Sequence, residues 1–598
     1  MTKIKNMQSK FLLGLGTALI LHSTNVNSQG LPVGFTNEEL IKMGRGEFTI
    51  NQGRGITTAP TGNLRTMAEW EEIQTLLVTY GDGSGGYYPS IVRQIIDLTQ
   101  DECEVLVACT DSNAVKTYLT SGGVPLTNVK YLEVASNSIW VRDYGGHTVY
   151  KNDVDSLLMV EWIYNRPTRP DDDAMPNSHA AWKGVPLYST TSAPNDLVNT
   201  GGNWMVDGFG TALVSKVILD ENDAGNPYGV TVKSEAQIDG IMNDFMGINR
   251  YIKMDVLPYD LIHHVDMHIK FINEETLLVG EYPAGVADGP QIEANLAYVT
   301  STFMSKWGTP FKVIRIPQPP STSGLYPDGG ASYRTYANWT FVNKTIICPS
   351  YRVEYDTTAM RILTQALPGY NIQFIDCDNT GANIISASGA IHCITNCIGV
   401  DDPLLISHQE LADTYDDINP YIINAFVKHK TGITAATLYY SLDGGGTFTS
   451  VVMTPTGGDN YTASIPAQII GTHILYYIKG DAVNGKMQVR PIVAPTGNFD
   501  FWVLPPISVP EIDETVSINV FPNPAGAITC IDLNGNVEGN VTVTLQNILS
   551  QQVQTLFSGK VENSNKKLFF NAANYEAGTY LLKVATEKWI SVTKVIVR

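Results

Sequence analysis

The sequence predicts an α/β repeat architecture closed around an axis, followed by two all-β modules. Three observations lead there. Between Met67 and Ser407, apolar β-branched runs are joined by tight polar turns at Asp207-Gly208, Asn273-Glu274 and Asn343-Lys344, the pattern of β-hairpins. Between the hairpins lie SIVRQIIDLTQ, SEAQIDGIMNDFM and TTAMRILTQAL, whose apolar residues recur at i, i+3 and i+4 and so line one face of a helix. After Tyr415 that spacing stops and only short strand-like runs follow.

Taken in order, the chain opens with Lys3, Lys5 and Lys10 before the apolar run Phe11–Leu21, and small residues precede Gln29. This is the layout of a secretory signal over 1–28, and the run is shorter than the roughly 20 residues that cross a bilayer. Residues 29–60 are mixed and Gly/Thr-rich, a lead or pro-segment. The hairpin-and-helix repeat fills 61–415, with units recurring roughly every 45–70 residues. Residues 416–504 carry short strands at regular spacing, as in a small β-sandwich. PPISVPE marks a linker over 505–515, and 516–598 form a second all-β module. No transmembrane segment is expected.

Composition bounds the function. The 598 residues include 59 acidic and 39 basic side chains, a formal charge of −20. No Lys/Arg cluster opposes that charge, which argues against nucleic acid and suits a cationic substrate. At 43% hydrophobic and 16% charged, the chain reads as folded domains. Its seven cysteines, Cys103, Cys109, Cys348, Cys377, Cys393, Cys397 and Cys530, are an odd number, too sparse for a disulfide scaffold. None falls in a zinc-ligand spacing, no EF-hand loop is present, and no cofactor is expected.

The chemistry gathers at NIISASGAIHCITNC, residues 383–397, where a turn of glycine and small residues leads to Cys393. Upstream, polar residues stand beside successive hairpins: Trp140-Val-Arg-Asp143, Gly201-Gly202-Asn203, His263-His264-Val-Asp266 and Tyr336-Ala-Asn338. At the same end of each unit they converge on one central pocket. His264 and Asp266, two apart, share a face if they lie on a strand. A thiol, an imidazole and the carboxylates of Asp143 and Asp266 suit a planar guanidinium, whose edges give paired N–H bonds to carboxylates. Cys393 then attacks the central carbon, and His264 moves the protons.

In that joint order, residues from about Ala68 to Val400 resemble the agmatine deiminase/bacterial peptidylarginine deiminase family of guanidine-modifying enzymes. The matching motifs are AEWEE (68–72), WVRDYG (140–145), GGNWMVDG (201–208), HVD (264–266), YAN (336–338) and SGAIHCIT (388–395). The resemblance implies a five-bladed α/β propeller, the pentein fold. It implies Cys393 as nucleophile, His264 as acid/base, Asp143 and Asp266 as guanidinium ligands, Asn338 as a supporting site residue and Trp140 in the pocket wall.

The substrate is a finer question. Thr200 stands where agmatine deiminases often carry Glu, and the leader and two β modules resemble the secreted bacterial peptidylarginine deiminases. Those members bind the substrate carboxylate with arginines after the WxRD segment, which points here to Arg166 and Arg169. The bland alternative is a pair of loop arginines facing Asp171–Asp173. Residues 416–504 resemble an immunoglobulin-like module, and 516–598 a type IX secretion C-terminal sorting domain. These features imply a protein secreted or held at the outer-membrane surface, with arginine-containing peptides and the secretion machinery as partners. Agmatine or free arginine is the alternative substrate. A cysteine protease leaves Asp143 and Asp266 without roles, and a surface adhesin leaves the whole set without one.

Overall fold

The computed structural model describes residues 35, 37–45, 54–81, 87–505 and most of 517–597 (517–535, 537, 539–547, 552–561, 565–586 and 589–597). The expected signal segment, much of the lead and most of the 505–515 linker lie outside the described residues. The chain divides into two compact units, 1–503 and 504–598.

Among the described residues of 64–399, five small sheets share one pattern. A middle strand pairs antiparallel with a hairpin partner, is followed by a helix, and pairs in parallel with the strand after it. Thr211–Ser215 pairs with Met205–Val206 and, across the helix Glu235–Met246, with Arg250–Met254. Thr276–Glu281 and Thr345–Ser350 repeat the scheme with Lys312–Pro317 and Asn371–Asp376. The expected turns close these hairpins by turn chemistry. Asp207 Oδ1 accepts from Phe209 N and Thr211 N, Asn273 Oδ1 from Glu275 N, and Asn343 takes a left-handed φ of 50°, which its short polar side chain tolerates.

One sheet draws its hairpin partner from the far end of this region: Asn396–Gly399, just after Cys393, pairs antiparallel with Ile73–Gly81. The helices present their apolar stripes to the sheets. Ile91, Val92, Ile95 and Ile96 of Pro89–Thr99 are fully or almost fully buried. Ser234 and Gln237 form a capping box at the start of Glu235–Met246, satisfying N–H groups the helix cannot.

Residues 405–503 form two facing sets of strands. Tyr421–Lys428 alternates buried and exposed residues along its length, as a sheet with one wet face requires. Ile423, Val427, Leu438, Ile474, Ile478 and Phe501 fill the core. Leu405–Ser407 pairs with Tyr421–Lys428, so this sheet begins upstream of the boundary expected at 416. A three-residue strand is too short to announce itself in the sequence. Ion pairs tie the region to the preceding one, Lys486 to Glu72 at 2.6 Å and Arg490 to Glu274 at 2.8 Å.

The second unit is made of strands from Ser517–Phe521 to Ile590–Val597 around Ile531, Leu533, Val543, Leu545, Leu582 and Val595. Among the described residues no helix is long and apolar enough to cross a membrane. The seven cysteines are all free thiols.

Candidate active site

Cys393 follows a turn that needs glycine. Ser388 is left-handed, with φ 66°, and a Cβ on Gly389 would lie 2.4 Å from the Trp140 ring and 3.1 Å from Cys393 Sγ. The chain then enters the 3-10 turn His392–Ile394. Cys393 is left 2% exposed, in the wall of a cavity. Asn338 Nδ2 donates to its sulfur at 3.2 Å, and the thiol lies 3.6 Å from Asp266 Oδ2. Burial, with Asp266 and Asp143 nearby, pushes the thiol well above its ordinary range.

Asp143 sits in the short helix Val141–Tyr144. Its Oδ1 accepts from Gly202 N at 3.2 Å and lies 3.6 Å from His264 Nδ1. Gly202 fits because it is glycine: a Cβ there would come within 2.3 Å of His264 Nδ1 and 2.8 Å of Asp143 Oδ1. Burial, opposed by His264, leaves the Asp143 carboxyl above its ordinary value. His264 Nε2 is 3.3 Å from Thr200 Oγ1.

The His264–Asp266 pair does not lie on a strand. His263 is left-handed with φ 54°, His264 is extended, and Asp266 belongs to the 3-10 turn Val265–Met267. That turn, rather than strand periodicity, sends His264 to the cavity wall beside Cys393 and buries Asp266 completely. Asp266 Oδ1 is buried and has no hydrogen-bond partner among the described residues. His263 is not in the cavity wall.

Arg166 and Arg169 join the same cavity with Trp140 and Tyr164. Arg169 precedes the helix Pro170–Lys183. The aspartates after it have partners of their own. Asp172 accepts from Asn137 N at 2.7 Å and Ser138 N at 3.0 Å, Asp173 pairs with Arg54 at 2.8 Å, and Asp172 also faces Arg169. Next to Arg166, the Glu221 carboxylate accepts from Asn165 Nδ2 at 2.8 Å.

Two residues stand beside the site that motif reading did not single out for a role. His392 places Nδ1 2.7 Å from Asp266 Oδ2 and Nε2 2.7 Å from Glu69 Oε1. Both lie inside quoted motifs, AEWEE and SGAIHCIT, yet nothing local to either says that they meet across 323 residues. Among the described residues no group of three or more His, Cys, Asp or Glu side chains is placed to hold a metal.

With this geometry in hand, residues 65–398 match the family model of the Porphyromonas-type peptidyl-arginine deiminases. The chain belongs to that family. It is a deiminase family acting on arginine-type guanidine groups. Residues 519–598 match a secretion system C-terminal sorting domain, which marks the protein for secretion or the cell surface.

A Legionella pneumophila protein named "Putative agmatine deiminase" is 27% identical over 272 residues, covering 45% of this chain and 75% of that one. The agmatine deiminase of Pseudomonas syringae pv. tomato is 26% identical over 300 residues, covering 45% and 77%. The solved structure named "Putative Arginine Deiminase" from Porphyromonas gingivalis is 19% identical, with a TM-score of 0.49, and covers 56% of this chain and 98% of that one.

Proposed function

We propose that this protein hydrolyses the guanidinium of peptidyl arginine, with preference for arginine at a peptide C-terminus, to citrulline and ammonia. The observation that carries the reading is the single cavity joining Cys393 and His264 to Arg166 and Arg169. A guanidinium at its inner end meets Asp143 and Asp266, each accepting N–H bonds from one edge of the cation. The cation offsets the two carboxylates that hold the thiol protonated, so the thiol proton passes to His264 and the thiolate forms. The sulfur attacks the guanidinium carbon. His264 returns a proton to one terminal nitrogen, which leaves as ammonia, and a thiouronium remains on Cys393. His264 then takes a proton from water as its oxygen attacks the same carbon. The C–S bond breaks as the remaining hydroxyl proton passes out to the released ammonia, giving the ureido group, ammonium and the thiolate. Asn338 steadies the sulfur, Trp140 flanks the substrate's alkyl stem, and Arg166 and Arg169 receive its carboxylate.

On this reading the five sheets are the blades of a pentein propeller, closed by Asn396–Gly399 on Ile73–Gly81. The catalytic domain runs from 61 to about 404, an immunoglobulin-like domain follows to 504, and 516–598 form the type IX sorting domain. A Sec signal peptide over 1–28 and then type IX export carry the protein to the medium or the outer-membrane surface.

The names of the curated relatives favour a second reading, in which agmatine is the substrate. One assay separates the two. Citrulline-type product is measured for a peptide ending in arginine, the same peptide amidated, free arginine and agmatine. A highest kcat/KM on the free-ended peptide supports the proposal, and a highest value on agmatine replaces the substrate while keeping the Cys393 chemistry. No product from any of the four with Cys393 reduced ends the deiminase reading.

A further inference from the structure

A run of paired charges starts at Asp266 and leads away from the cavity. His392 lies between two carboxylates, Asp266 and Glu69, each 2.7 Å from one ring nitrogen. Glu69 is met in turn by Lys270 at 2.5 Å and Arg142 at 3.9 Å. The side chains of Asp266, His392 and Lys270 are fully buried. Each ring nitrogen faces a carboxylate oxygen at hydrogen-bonding distance, so the ring ties the two carboxylates together. Burial alone would raise the Glu69 carboxyl, but His392, Lys270 and Arg142 pull it well below its ordinary value. Burial is likewise outweighed at Asp266, where His392 holds the carboxyl below its ordinary value.

We propose that Glu69 and His392 are positioning residues that hold the Asp266 carboxylate in place, with Oδ2 tied back and Oδ1 presented to the substrate cation. The inference rests on the deiminase reading, since it assigns Asp266 the guanidinium as its ligand. Asp143 is held differently. It meets Gly202 N and His264, with Thr200 and Arg166 also against it, and it stays above its ordinary value. The two carboxylates therefore differ: Asp266 lies below its ordinary value and Asp143 above it.

The charged and titratable groups facing Asp266 are His392 and Cys393 on one turn, His264, His268 and Lys270 on the next, and Asp143 and Asp260 beyond them. Glu69 faces Arg142, His147 and Cys397 besides His392 and Lys270. Removing His392 from beside Asp266 lets burial raise its carboxyl, so a higher pH is needed to ionise it.

The test compares Glu69→Gln, which keeps shape and an acceptor but removes charge, with His392→Asn, which keeps a donor near the Nδ1 position. In His392→Asn the acid limb of kcat/KM moves up by about one to two pH units, and Glu69→Gln, which leaves His392 held at one nitrogen only, moves it the same way by less. The loss at pH 4.5 exceeds the loss at pH 7.5, by about tenfold at the upper end of that shift. A merely structural role lowers the rate equally at every pH. A second readout needs no turnover: the lowest pH at which Cys393→Ser protein binds methylguanidinium with its plateau affinity, read by calorimetry, rises by the same interval when His392→Asn is added. An unshifted limb and unshifted affinity in a His392→Asn protein that melts like wild type overturn the inference. Wild-type protein without guanidinium turnover and Cys393→Ser protein without binding overturn the deiminase reading and this inference with it, a result visible before His392 is changed.

Discussion

The inner end of the cavity and its outer wall are built on opposite plans. Behind Cys393, polar groups are answered by other groups of the protein, Asn338 by the Cys393 sulfur, Asp266 Oδ2 by His392 and His392 by Glu69, while Asp266 Oδ1 has no partner among the described residues. These groups are buried, and their geometry is over-determined. The cavity wall beyond carries Trp140, Tyr164, Arg166 and Arg169. On the proposed function the difference separates reaction from selection: the groups around Cys393 take the planar cation, and the arginines take what it is attached to.

The comparison breaks most visibly at the thiol. Cys393→Ser is expected to lower kcat by on the order of 10⁴-fold or more, read as citrulline formed, with the melting temperature close to wild type because the side chains are nearly the same size. Asp266→Asn removes a buried charge that meets the cation in every state, and kcat/KM is expected to fall by about 10²- to 10³-fold on every guanidinium substrate alike. A fall confined to the free-ended peptide would show that the inner end also selects. At the outer wall, Arg166→Ala or Arg169→Ala is expected to reduce the ratio of kcat/KM between free-ended and amidated peptide by about 10- to 100-fold, the worth of a hydrogen bond to a charged group. An unchanged ratio would remove that arginine from carboxylate binding.

The smallest effect lies in stability. Burial pushes the Asp172 carboxyl from its ordinary 3.8 up to about 7. Between those values the folded protein holds a proton that the unfolded chain releases. The contribution is full below about pH 4 and is lost as the pH rises through about 7, a difference on the order of a few kcal/mol. Asp172→Asn keeps an acceptor for the Asn137 and Ser138 N–H groups. Its melting temperature should therefore fall less steeply than that of wild type between pH 5 and 7.5. Equal slopes would mean that Asp172 is ionised in the folded protein.

How much of this was legible depended on distance along the chain. Cys393, His264, Asp143, Asp266 and Asn338 each stand in a short run whose residue types carry their own chemical meaning, and the turns at Asp207, Asn273 and Asn343 announce the hairpins beside them. Glu69 and His392 carry no such mark, because their meaning is their meeting across 323 residues. The strand assumed for His264 and Asp266 failed at His263, whose left-handed backbone starts a turn that no periodicity encodes. The start of the second sheet at Leu405 was hidden by brevity, since three residues hold too little alternation to read.

The closing strand has a consequence in time. Asn396–Gly399 begins three residues after Cys393 and pairs with Ile73–Gly81, more than three hundred residues upstream. Chains are made from the N-terminus onward, and so long a loop is slow to shut. A ribosome therefore releases Asp143, His264 and Asp266 well before the thiol, and the thiol takes its place only when the first sheet receives its last strand. The cell that makes the protein holds no assembled reactive centre during most of synthesis. On the proposed function, a truncation before Asn396 is expected to form no citrulline at all.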